Sequence, residues 1–123
     1  MPPSTTSHSP INRLWVLEQI GGDEELLRAI AEVFMIDSPN LRQQLEASLA
    51  SGDPAAVRSA AHCAKSAVGN FGAPQAVQAA TALEEAAKSG DTATLPAFTE
   101  KLCTELLRVE EALRQDVLSE PAS

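Results

Sequence analysis

Aromatic residues are nearly missing from this chain, which has one Trp, three Phe and no Tyr among 123 residues. A sheet-rich core draws on aromatic and β-branched side chains, whereas alanine, abundant here, suits closely packed helices. The expectation is an all-α domain. Cysteine is scarce as well. Cys63 and Cys103 lack CxxC spacing, and a chain long enough to bury about two thirds of its unfolded surface needs no disulfide framework. Reduced thiols in a cytoplasmic protein are expected. No run approaches the ~18 consecutive apolar residues of a membrane span, and the N-terminus has neither the basic nor the apolar region of a signal peptide. No membrane partner is therefore expected. Basic residues are few: nine Lys and Arg against seventeen Asp and Glu give a formal charge of −8. Scattered cations in an acidic chain exclude nucleic acid as a partner held by the general field of the protein. Any anion must be met by a local basic patch.

What is present is helical punctuation. Residues 1–10 (MPPSTTSHSP) hold almost nothing to bury and read as a disordered polar tail, in which His8 is expected to be inert. A start at Met1 followed by so short a tail leads to the expectation of a free-standing protein. Asn12 is placed to cap a short helix carrying Leu14, Trp15, Leu17 and Ile20, which stops at Gly21-Gly22 and closes one end of a bundle. Asp23 caps a longer helix with Glu24 and Glu25 in its first turn. The apolar stripe of that helix runs Leu26/Leu27, Ile30, Val33/Phe34, with Met35 and Ile36 alongside, and resumes at Leu41, Leu45 and Leu49. Ser38-Pro39 reads as an N-cap followed by proline at a first helical position, which predicts a kink or break. Ser51-Gly52-Asp53 and Ser89-Gly90-Asp91 each supply a glycine to end one helix and an aspartate to cap the next. Two helices lie between them, from Pro54 to about Asn70 and from Pro74 to about Lys88. The last helix carries Leu95, Phe98, Leu102, Leu106, Val109, Leu113 and Val117 at spacings of three and four, flanked by Cys103. Such short connections force antiparallel neighbours. The prediction is an antiparallel up-and-down four-helix bundle with an additional short N-terminal helix over residues 11–118, and a frayed C-terminus at 119–123.

The third helix breaks the expected pattern. At about 100° per residue, Val57, Ala60, Ala64, Val68 and Phe71 cluster at roughly 120° or more from His62 and face the core. Arg58, Lys65, Ser66 and Gly69 fall within about 60° of it. His62 therefore projects from the face opposite the core, flanked by two cations and several small residues. A structural histidine normally belongs to the packed face. An exposed imidazole offers a general base, a metal ligand or a nucleophile. A lone general base needs an orienting partner and a substrate pocket, neither of which is evident, and Arg58 and Lys65 repel a metal ion. The same cations suit a phosphoryl group, whose charge is spread over its oxygens during transfer. Phosphorylation of His62 is the preferred chemistry, with no metal site in this chain.

The run Ala61-His62-Cys63-Ala64-Lys65-Ser66-Ala67-Val68-Gly69-Asn70-Phe71-Gly72-Ala73, followed by Leu83-Glu84-Glu85-Ala86-Ala87 and Gly90-Asp91, closely resembles the histidine-containing phosphotransfer (HPt) domain of bacterial multistep phosphorelays. The likeness covers roughly residues 12 to 116. The resemblance implies that His62 is the phospho-acceptor and that Lys65 lies beside the phosphoryl group. It places Glu84 at a position on the neighbouring helix that often contacts the histidine ring, and Gly69 at a small position that lets a receiver domain approach. The family usually has glycine directly after the lysine, where this chain has Ser66, a departure that bears on phosphate contacts and partner choice.

The function so implied is that of a phosphorelay intermediate, not an enzyme. The phosphoryl group would pass between His62 and the aspartate of a receiver domain, in a response regulator or a hybrid histidine kinase. That receiver supplies the Mg²⁺, so no cofactor is expected in this chain, and a monomer is expected. One rival is an HPt-like docking module that binds and regulates a receiver or kinase without carrying phosphate. The other is an enzyme acting on a small molecule through His62, for which no convergent acid, base and oxyanion donors are apparent.

Overall fold

The structure, a computed structural model, describes residues 9–119. Most of the expected polar tail, including His8, and the last four residues of the expected frayed end lie outside the described residues. Five helices follow in order: α1 (Arg13–Gln19), α2 (Glu24–Ser51), α3 (Pro54–Gly69), α4 (Pro74–Ser89) and α5 (Leu95–Asp116). No strand occurs among the described residues.

Local chemistry sets most boundaries. The Asn12 carboxamide oxygen accepts the Trp15 N–H at 3.0 Å. Asp23 Oδ1 does the same for Leu26, and Asp53 Oδ1 for Ala55, each at 3.0 Å, satisfying donors that the first turn leaves free. Gly52 and Gly90 end α2 and α4 in the left-handed conformation, which costs glycine nothing. Asp91 does not cap α5, contrary to the aspartate reading. The helix begins instead at Leu95, with Pro96 in its first turn and the Thr94 hydroxyl donating to the Asp91 carbonyl at 3.1 Å. A helix started from Asp91 would carry Pro96 into its interior, where the ring clashes and a hydrogen bond is lost.

The break expected at Ser38-Pro39 does not form either, and α2 runs unbroken for 28 residues. Leu27, Ala31 and Phe34 before Pro39, and Leu45 after it, are buried on one continuous face. A break would shift the helical phase and expose one half of that face, so burial outweighs the proline penalty of about 3 kcal/mol. Ser38 itself is fully buried and donates to Glu110 Oε2 of α5 at 2.6 Å, while Arg42 Nε bonds the same oxygen at 3.0 Å. Far from capping a new helix, Ser38 fastens α2 to α5.

Helix α2 packs on α3 and α5, and α4 packs on α3 and α5, closing a four-membered ring around one core. The antiparallel sense shows in the cross-links: Ser38 meets Glu110, whereas Arg28, earlier on α2, bonds the Val117 and Leu118 carbonyls farther along the chain. The α5 stripe buries Leu95, Leu102, Leu106, Val109 and Leu113 as its periodicity requires. Short α1 covers one end of the ring. Of the apolar residues expected on it, Leu17 and Ile20 pack half-buried against the core while Leu14 and Trp15 are exposed; its fully buried residue is Val16, with the neighbouring Ile11. The Asn12 N–H donates to the Phe71 carbonyl at 2.9 Å, tying α1 to the α3–α4 turn, where the Phe71 ring meets Phe34 edge-on at 5.3 Å.

Candidate functional site

Helices α3 and α4 face one another through small residues: Ala61, Ala64, Ala76 and Ala80 are all buried. Alanine at the contact lets two helices approach toward the short end of the usual 8–10 Å range. That approach brings a glutamate on α4 within reach of the exposed face of α3. His62 keeps 63% of its side chain in solvent, and its Nδ1 lies 3.2 Å from Glu84 Oε2. Lys65, one turn farther along α3, places Nζ 2.8 Å from Glu84 Oε1. A single carboxylate thus spans both side chains. The Lys65 ammonium first, and the His62 ring second, hold the Glu84 carboxyl below the usual carboxylate range, against the opposing effect of burial.

An ionised carboxylate can only accept hydrogen bonds. The proton of a neutral His62 ring therefore belongs on Nδ1, pointing at Glu84, and Nε2 carries the lone pair. The sequence reading of α3 holds in its main outline: Val57, Ala60, Ala64 and Val68 are buried, and His62 stands on the other side. Arg58 and Ser66 are exposed on the His62 side of α3, one turn before and one turn after it. Gly69 is half-buried, and a Cβ there would meet nothing within 4 Å, so no contact inside this chain requires glycine.

Beside Glu84 the two helices enclose a shallow depression of about 190 Å³, lined by Arg58 and Lys65 from α3 and by Thr81, Glu84, Glu85 and Lys88 from α4. Of the α4 residues, sequence reasoning found only Glu84. Lys88 lies four residues beyond it, and that spacing was the available signal once Glu84 was placed opposite His62. On the other flank of α3, Ile30, Val33, Phe34 and Asp37 of α2 border a second groove with Ala67, Asn70 and Phe71. Leu26, Val33 and Ile36, read from sequence as part of the apolar stripe of α2, are exposed, with Val33 at 56%. The core admits only the narrower face through Leu27, Ala31 and Phe34.

Among the described residues no cluster of three or more His, Cys, Asp or Glu side chains is arranged to hold a metal ion, and no helix is long and apolar enough to cross a membrane. Cys63 is exposed and Cys103 half-buried, both free; burial pushes the Cys103 thiol upward.

No curated protein matches this chain. Among solved structures, the fold matches that of histidine-containing phosphotransfer protein B (HptB) from Pseudomonas aeruginosa PAO1 with a TM-score of 0.82, at 24% identity, covering 93% of this chain and 99% of that one. The family model described as the Hpt domain matches residues 29–119, which include His62, Lys65 and Glu84. On that match the chain belongs to the Hpt domain family, and its function is histidine phosphotransfer within a relay.

Proposed function

We propose that His62 is the residue of this Hpt domain that carries the phosphoryl group, and that Nε2 is the atom that takes it. The observation behind this reading is the shared carboxylate: Glu84 faces Nδ1 of a ring that is otherwise open to solvent. The Nε2 lone pair attacks phosphorus as the bond to the donor aspartate's oxygen breaks, and the aspartate leaves as a carboxylate. The ring keeps its Nδ1 proton and becomes positive, a charge that Glu84 neutralises at 3.2 Å. Lys65, already held at the site by Glu84, has the reach and the charge to pair with the incoming phosphoryl oxygens.

The partner is a receiver domain of a response regulator or hybrid histidine kinase, which supplies the aspartate and the Mg²⁺, and the chain acts as a monomer in the cytoplasm. Open space at Gly69 and the apolar groove along α2 fit a protein surface descending onto His62. Ser66 lies inside that approach and bears on partner choice. Mixing the chain with a phosphorylated receiver domain and Mg²⁺ is expected to label the wild type and leave His62→Gln unlabelled; equal labelling of both overturns the assignment. Lys65→Ala is expected to slow transfer while keeping its helical circular dichroism signal.

A further inference from the structure

The nine Lys and Arg side chains are not used alike. Five pair with carboxylates away from His62, Arg28 is engaged with the carbonyls that end α5, and Lys65 is held by Glu84. Arg58 and Lys88 have no hydrogen bond or ion pair among the described residues. They stand on different helices, yet both line the depression beside Glu84. Three cations meet two carboxylates there, Glu84 and Glu85, in a chain whose formal charge is −8. Arg58 precedes His62 by one turn on α3, and Lys88 follows Glu84 by one turn on α4, so the two cations border the phospho-acceptor on its α4 side.

We infer that Arg58 and Lys88 form a docking strip for the acidic margin of the partner's phosphorylation site, and that they orient the partner rather than touch the phosphoryl group. This rests on the phosphotransfer reading of His62. A partner that binds Mg²⁺ beside its own aspartate needs oxygen ligands, predominantly carboxylates, so the rim of its site is negative. The remainder of this acidic chain repels such a rim, and the strip is where attraction is concentrated. The apolar groove of α2 lies on the opposite flank of α3. A partner seated on both is fixed in rotation about His62, because its acidic side can face only α4. Lys65 stands apart from the strip, because Glu84 holds it beside His62, where the phosphoryl group arrives.

The test uses the intact chain and a receiver domain that binds it, with Mg²⁺ present. For Arg58→Glu/Lys88→Glu, kcat/KM for phosphoryl transfer is expected to fall at least about tenfold through KM, with the rate at saturating receiver retained and the salt dependence flattened or reversed. Equilibrium binding of the same receiver to His62→Gln, with and without the two charge reversals, reads docking apart from chemistry and is expected to weaken by a similar factor. Unchanged binding and an unchanged salt slope overturn the strip. A lower saturated rate with KM unchanged also overturns it, since that outcome puts the cations on the phosphoryl group. Binding that depends on the strip, with no labelling of the wild type, instead overturns the phosphotransfer assignment of His62 and leaves the docking surface standing. Far-UV circular dichroism of each variant is expected to match the wild type, because both substituted side chains are exposed.

Discussion

Replacing Glu84 tests the site most directly, because one carboxylate holds two side chains. In Glu84→Ala the His62 ring loses the acceptor 3.2 Å from Nδ1, and Lys65 loses its partner at 2.8 Å. A hydrogen bond to a charged group is worth about 1.5–3 kcal/mol when shielded. The ring is 63% exposed, so water recovers much of this, and about 1 kcal/mol is left, the upper end for an exposed pair. At tenfold per 1.36 kcal/mol, this predicts that the ratio of Nδ1–H to Nε2–H tautomers drops about fivefold, and that the population with a free Nε2 lone pair, and the transfer rate with it, falls from a majority by at most about threefold. Glu84→Gln separates the two duties of the carboxylate. An amide oxygen still accepts from Nδ1–H but carries no charge for Lys65 or for the positive ring, so the tautomer is kept while the charge effects are lost. Long-range proton–nitrogen NMR of the His62 ring assigns the tautomer, and transfer kinetics with one receiver give the rate. A wild-type ring protonated mainly on Nε2, with the same pattern in Glu84→Ala, refutes the reasoning.

Three other outcomes are expected. Glu110→Ala strands the fully buried Ser38 hydroxyl and frees Arg42, which predicts a loss of about 2 kcal/mol in urea unfolding; a change within experimental error contradicts the α2–α5 fastening. Gly72→Ala is expected to destabilise by about 1–2 kcal/mol, because φ is +57° and a Cβ would lie 3.0 Å from both Asn12 Cβ and Trp15 Cε3, whereas Gly69→Ala, helical and with open space around it, leaves thermal stability unchanged or slightly raised. The Glu84 carboxyl titrates below its ordinary value, so its stabilising contribution is fully present above about pH 4.3 and fades as the pH falls through the lower folded value; carboxyl-carbon NMR showing Glu84 at or above the ordinary value contradicts the pairing with Lys65 and His62.

How far the sequence carries depends on whether a feature is local. Capping by Asn12, Asp23 and Asp53, the glycine stops at Gly52 and Gly90 and the 3.6-residue period of α5 act within a few residues, and they were legible for that reason. The placement of His62 opposite Val57, Ala64 and Val68 is likewise a property of one helix. Pro39 was misread because the local penalty is real but small beside the burial that a continuous α2 secures on both sides of it. Asp91 was misread because Pro96, five residues later, dictates where α5 can begin.

Pairings between helices required the tertiary structure. The sequence by itself determined the helices, their order and the imidazole's exit from the core, since these follow from periodicity and short-range hydrogen bonding. That Glu84, expected from the resemblance to meet the His62 ring, also grips Lys65, that Glu110 is buried against Ser38, and that Arg58 and Lys88 share one depression were decided only in three dimensions. Each depends on the rotation and separation of two packed helices, set by the alanine contact of α3 with α4 and by the closure of the whole ring, and no spacing along a single helix encodes that.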